Sequence, residues 1–245
     1  NQQPPQKMPW LQNTQSGIFW NQSTCCTCDL NSGAIIQRDK ESYAVAPHIP
    51  GGITNPDQLR KIANVAEKFN AKALKLTSAQ RIAIVGLEEE QLDQIWEELD
   101  EPAGAAIGMC VRSVKVCPGT TFCKRGQQDS VSLGLEFDKR YHGRELPWKF
   151  KMGVSGCAND CSEVCIKDVG LIGTPKGWKV MVGGNGGAGA RLSGLLADQL
   201  DDEQAMELVD KVVEWFVKNN RKGRLGKFVN EMGFETFKQE IMGSK

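Results

Sequence analysis

Four cysteines stand in two pairs, Cys117 and Cys123 in V-C-P-G-T-T-F-C-K-R-G and Cys157 and Cys161 in M-G-V-S-G-C-A-N-D-C. Four thiolates are what an iron–sulfur cubane takes from its protein, one for each iron. Cysteines four apart show both sulfurs on one face if their segment is helical, so Cys157 and Cys161 are expected to act together. A structural zinc site is the competing use. Such sites pair their cysteines as C-x2-4-C, and the five residues between Cys117 and Cys123 fit that poorly.

Positive charge gathers around these thiols. In Lys149-Phe150-Lys151 the ammonium groups are two apart, so on a strand they share a side while Phe150 points to the other. Like charges so placed repel unless an anion lies between them. Lys75-Leu76-Thr77 repeats the geometry, and Gln80 and Arg81 follow it. His48, in P-H-I-P-G-G, can give up a proton near neutral pH. Between Ala106 and Arg125 stand Arg112, Lys115, Lys124 and Arg125 without one acid. The loop Gly183-Gly184-Asn185-Gly186-Gly187, with Arg191 beyond, lets a ligand approach backbone closely, but it is not the G-x-G-x-x-G of a dinucleotide fold.

The elements that must position these groups divide in two, after an extended arm over residues 1–30 rich in Gln, Asn and Pro. From Gly33 onward, strands Ala34–Arg38 and Ser42–Ala46, a helix capped by Thr54 or Asn55 with Pro56 in its first turn, strands Ala73–Thr77 and Ile82–Gly86, and a helix Glu89–Leu99 give the order β-β-α-β-β-α. This predicts a small α+β unit over 31–105, with helices on one sheet face. Residues 106–245 form the second expected domain, with strands at Lys149–Val154, Val169–Ile172 and Trp178–Val182. An amphipathic helix Asp202–Asn219 and a last short helix ending near Met242 close it.

At 245 residues there is length for a real core in both parts. The 30 basic and 30 acidic residues balance, so no overall basic field argues for nucleic acid. No apolar stretch is long enough to cross a bilayer, and the arm lacks the apolar segment of a signal peptide. Nine cysteines at irregular spacing suit a reducing compartment, and the cytoplasm is expected. Cys25, Cys26 and Cys28 are expected to be reduced thiols, with Cys110 and Cys165 as neighbours of the ligand set.

C-x5-C followed by C-x3-C, with K-L-T-x-x-Q upstream and L-P-x-K-F-K before the second pair, resembles the sirohaem and [4Fe-4S] nitrite/sulfite reductases over residues 31–200. The chain carries one copy of a unit that larger members carry twice. The resemblance implies a ferredoxin-like N-terminal unit followed by an α/β sirohaem and iron–sulfur domain. It implies Cys117, Cys123, Cys157 and Cys161 as cluster ligands, Cys161 being shared with the sirohaem iron, and Lys149 and Lys151 as anion-binding residues. Lys75 stands where relatives have Arg or Lys, and His48 replaces an arginine and leaves the choice of anion open; both are expected to act with Lys149 and Lys151 as catalytic residues that neutralise the anion and relay protons.

Sirohaem carries eight carboxylates, for which Arg112, Lys115, Lys124, Arg125, Thr77, Gln80, Arg81, Asn185 and Arg191 are the candidate partners. The implied activity is six-electron reduction of sulfite to sulfide, with nitrite to ammonia as the alternative within the class. A non-catalytic iron–sulfur electron carrier is the alternative outside it. Electrons are expected from an external donor protein such as a ferredoxin. A homodimer is expected to cover the surface that a second copy covers in larger relatives, unless the arm, with Trp10, Ile18, Phe19 and Trp20, does so instead.

Overall fold

The computed structural model describes residues 33–101, 104–219 and 221–243; the arm, with its three cysteines, lies outside them. Two sheets, each with its own core, make up the described chain. The first contains β1 (Ile35–Ile36), β2 (Tyr43–Val45), β3 (Ala73–Leu76) and β4 (Ile82–Leu87) in the antiparallel order β1-β2-β4-β3. Asp39 turns the β1–β2 hairpin by accepting the backbone N–H groups of Glu41 and Ser42 at 3.1 and 2.9 Å. Asn55 caps α1 (Pro56–Lys68) through the Gln58 N–H, with Pro56 in the first turn. This helix and α2 (Leu92–Leu99) bury Ile62, Val65, Ile95 and Leu99 against Val45 and Ile84 of the sheet. The α+β, ferredoxin-like expectation holds here, with the element order as read from the sequence.

The second sheet runs β5 (Val111–Val116), β6 (Phe150–Ser155), β7 (Val169–Thr174), β8 (Gly177–Val182) and β9 (Gly194–Leu200), in sequence order. β5, β6 and β7 are parallel, whereas β8 and β9 return antiparallel. Alternation puts Phe150, Met152 and Val154 on the core face with Val114, Val169 and Val180. Helices α4 (Ser130–Tyr141), α5 (Asp202–Asn219), α6 (Leu225–Met232) and α7 (Phe234–Met242) share that core, and short α3 (Gly119–Phe122) follows β5. The last helix expected from the sequence is therefore two, parted at Gly233, whose φ of 86° ends α6.

The opposite face carries Lys115, which pairs with Gly153 across β5 and β6, and Lys151 two residues before it. Here the β6–β7 connection crosses without a long helix. A Cβ on Gly153 would come within 3.2 Å of Ser162 O, and one on Gly170 within 2.9 Å of Val164. Absent side chains are what let this loop lie flat on the sheet. Among the described residues no helix is long and apolar enough to cross a membrane.

Candidate functional site

The second sheet brings the cysteine pairs together because β5 and β6 are adjacent and parallel. Cys117 directly follows β5 and donates its N–H to Val154 O at 3.1 Å; Cys157 stands just past the end of β6. The Gly156 N–H donates to Cys117 Sγ at 3.0 Å, and Ser130 Oγ lies 3.3 Å from the same sulfur. α3 carries the chain from Cys117 to Cys123. The following loop is then fastened back, with the N–H groups of Gln127 and Gln128 donating to Gly156 O at 2.8 and 3.0 Å. A Cβ on Gly156 would meet Gln128 O and Gly119 Cα at 2.8 Å, so three of the four cysteines share one tightly sewn corner.

Cys161 is held by Asp160. The carboxylate of Asp160 accepts Ser155 Oγ–H and the N–H groups of Val164 and Cys165 at 2.8–2.9 Å, folding the loop over the end of β6. The segment Cys157–Cys161 is a turn rather than a helix, which corrects the helical face considered for this pair; Asp160 sits at φ 49°. Cys117 is buried, Cys123 and Cys157 are half-buried, and Cys161 is exposed. Burial and the neighbouring Asp160 push the Cys165 thiol up, favouring its neutral form. Among the described residues no three His, Cys, Asp or Glu side chains converge as a single ion requires. A cubane makes a different demand, with each thiolate on a separate iron.

Beside this corner lies a cationic face. Lys151 is half-buried, and its ammonium pKa is pushed down by burial and then by Lys167, Arg224 and Arg112, with Asp168 opposing. Lys115 and Lys167 both reach Glu163, at 2.9 and 3.1 Å, and hold its carboxyl below the usual range. Five cationic side chains thus meet two carboxylates. Lys149 is half-buried just ahead of β6, and Lys124 and Arg125 are exposed next to Cys123. Asn185 pairs its backbone with Arg191 across the mouth of the glycine-rich loop, and Arg224 donates to its Oδ1 at 2.7 Å. Lys167, Asp168, Glu163 and Arg224 escaped the sequence reading. Glu163, Lys167 and Asp168 follow closely on the Cys157–Cys161 motif, and that proximity was their one signal; Arg224 had none.

The candidates from the first unit are placed differently. Lys75 lies on β3, an edge strand exposed along its whole length, with Leu76 74% exposed. Thr77 Oγ1 closes the β3–β4 turn on the backbone of Arg81. Gln80 grips Val116, the residue before Cys117, through both backbone groups at 2.8 and 2.9 Å. Arg81 is buried and donates to the carbonyls of Ala46 and Arg112 and to His142 Nε2. His48 sits 2.6 Å from Asp138 of α4 and stacks on His142 at 3.5 Å. Gln80, Arg81 and His48 therefore join the two units, while Arg112 Nε donates to Gly108 O.

Two family models match the chain: the nitrite and sulphite reductase 4Fe-4S domain over residues 107–245, and the nitrite/sulfite reductase ferredoxin-like half domain over residues 35–102. An assimilatory-type sulfite reductase from Nitratidesulfovibrio vulgaris is 41% identical over 216 residues, which are 88% of this chain and 99% of that protein. An NAD(P)H nitrite reductase from Bacillus subtilis is 42% identical over 183 residues, 75% of this chain but only 23% of its own length. The solved structure of the Mycobacterium tuberculosis NirA protein superposes with a TM-score of 0.73 at 22% identity, over 82% of this chain and 40% of that one. At that identity the likeness is one of fold.

Proposed function

This chain belongs to the nitrite and sulphite reductase family, and from that premise we propose that it reduces sulfite to sulfide with six electrons. The observation that carries the reading is the excess of cations on the β5–β6 face beside the four thiols. An electron carrier has no use for an anion pocket. The near full-length likeness to a sulfite reductase favours sulfite. Nitrite is the second reading, favoured by the likeness to a nitrite reductase over three quarters of the chain.

When bound, a sirohaem joined to a [4Fe-4S] cluster would supply the electrons and the iron at which the oxyanion is reduced. The chain's residues suit both groups. Cys117, Cys123, Cys157 and Cys161 would hold the cluster, and the Gly156 N–H aimed at Cys117 Sγ is a donor of the kind that tunes such sulfurs. Arg112, Lys115, Lys124, Arg125 and Arg191 would meet carboxylates of the macrocycle, with Asn185 and Thr77 at the rim. Lys149 and Lys151 would bind the oxyanion, with Lys75 approaching from the first unit. The lowered pKa of Lys151 suits it to give a proton to a departing oxygen. Gln80, Arg81 and His48 would hold the two units in register. The donor would be an external protein such as a ferredoxin, the compartment the cytoplasm and the assembly a homodimer.

A visible spectrum of the purified protein is the first test. A Soret band with a red band is expected over a cluster shoulder, and turnover with sulfite should exceed that with nitrite in kcat/KM. A cluster shoulder alone would leave the electron carrier standing, and a higher kcat/KM for nitrite would reverse the choice of anion.

A further inference from the structure

Arg224 stands between α5 and α6, 56 residues from Asp168 and 39 from Asn185, yet its guanidinium joins the two. Nε donates to Asp168 Oδ1 at 2.8 Å, Nη2 to Oδ2 at 2.6 Å, and Nη1 to Asn185 Oδ1 at 2.7 Å. Asp168 is 0% exposed, and its Oδ2 also accepts the backbone N–H of Lys151 at 2.8 Å. In return the Asp168 N–H donates to Lys151 O at 3.0 Å, while Asp168 O accepts the Gly183 N–H at 2.8 Å. On the far side, Asn185 Nδ2 donates to Gly189 O at 2.9 Å. One side chain, 11% exposed, therefore ties Asp168, beside the start of β6, to Asn185 in the middle of the glycine-rich loop.

Stability alone is a weak reason for such an arrangement. Removing both ions from water offsets most of their attraction, so a buried pair of this kind adds little net stability. A planar fork does supply orientation, because two parallel N–H···O bonds fix both partners in one plane. What it orients is specific here, since the amide it steadies belongs to Lys151 and the amide side chain it steadies belongs to Asn185. Close packing reinforces the tie. A Cβ on Gly184 would meet Lys167 O at 2.6 Å and Cys165 O at 2.8 Å, so the loop backbone lies directly against the connection that precedes β7.

We propose that Arg224 is a positioning residue of the anion site, holding Lys151 and the Asn185 loop at a fixed separation so that both meet the same bound anion, which rests on the reading of Lys151 as an anion-binding side chain. Its own charge acts on Lys151 as well, being one of the cations that lower that ammonium's pKa after burial.

The test compares Arg224→Lys, Arg224→Gln and Lys151→Ala, purified with cofactors, by iron content, by KM and kcat for sulfite, and by acetic anhydride labelling of Lys151 against pH. Arg224→Lys keeps a charge but loses the fork, so KM should rise about tenfold to a hundredfold at unchanged iron content, since small misplacements of a binding group cost this much. Arg224→Gln should raise KM similarly. It should also move the labelling midpoint of Lys151 upward, because a neighbouring cation has gone. A purely structural Arg224 would leave KM unchanged in whatever variant folds, and wild-type KM in Arg224→Lys overturns the inference. If Lys151→Ala also leaves both KM and kcat unchanged, it is the reading of Lys151 that falls. Should neither Arg224 variant fold, Asp168→Asn, which keeps an acceptor for the Lys151 amide but breaks the ionic fork, must raise KM likewise; unchanged KM there is equally fatal.

Discussion

Two groups of half-buried charges lie in this molecule, and they differ in how far the protein balances their charge. At the junction of the two units, Asp138 takes His48, His48 stacks on His142, and His142 takes an N–H from Arg81, which also caps three carbonyls. That group bonds mainly within itself, and among the described residues it leaves only the buried His48 Nδ1 and Asp138 Oδ1 without a hydrogen-bond partner. On the β5–β6 face, Glu163 and Asp168 cannot balance Lys115, Lys151, Lys167, Arg112 and Arg224. Uncompensated cations in a partly desolvated site cost free energy unless an anion joins them. The closed group builds the molecule, and the open one is where a polyanionic cofactor and an oxyanion would bind.

The comparison breaks most visibly at the thiols bordering the open group. Cys161→Ser should lose most of the bound iron and all sulfite turnover, whereas Cys165→Ser should keep iron near the wild-type level. The contrast follows from position. Cys161 is exposed at the turn that Asp160 folds over β6, while Cys165 is half-buried and stands outside the two cysteine pairs. Iron analysis of the two proteins decides, and equal losses would mean that the ligand set is misassigned.

Within the open group itself the expected effect is smaller. Lys149→Ala and Lys151→Ala should load both cofactors yet turn over sulfite about 10²–10³-fold more slowly, the usual cost of one donor lost from a preorganised anion site. His48→Gln, a change in the closed group, should lower kcat/KM by less than tenfold. A fully loaded Lys149→Ala, Lys151→Ala double variant that works normally would erase the distinction between the groups.

How much of this could be read from the chain depended on distance along it. The Asn55–Pro56 helix start and the alternation of Phe150, Met152 and Val154 are local patterns, and each survives in the fold, although Lys149 stands just ahead of the strand that carries Lys151. β5 was not read as a strand, because V-R-S-V-K-V passes through an irregular register between Val111 and Val114 and breaks simple alternation. α4 went unread too, although it carries both Ser130 beside Cys117 and Asp138 beside His48. Arg224 with Asp168, and His48 with Asp138 at 90 residues' separation, are pairings made by tertiary packing. No period or turn signal announces them. His48 and Arg81 thus looked alike in sequence to Lys149 and Lys151, as polar residues in short motifs, and only the fold separates the closed set from the open one.

The finest difference between the groups is in how they respond to acid. His142 is held neutral, its pKa lowered to about 2 by burial, then by His48 and Arg81; Asp138 and Glu101 are the acids nearest the cluster. The unfolded chain returns His142 to its ordinary 6.5, so between these values the unfolded state binds the extra proton. Its contribution to stability is therefore complete above pH 6.5 and is lost as pH falls toward 2. Between pH 7.5 and 5.5 the loss from this one group is about 1.4 kcal/mol, or roughly 3–6 °C in melting temperature for a chain of this size. His142→Gln keeps an acceptor for Arg81 but cannot take up a proton. Its melting temperature should start below the wild-type value at pH 7.5, and the gap should narrow by that amount at pH 5.5. A gap that stays constant across the two pH values would mean that His142 is not held neutral at the junction, and that the closed group is less closed than its contacts imply.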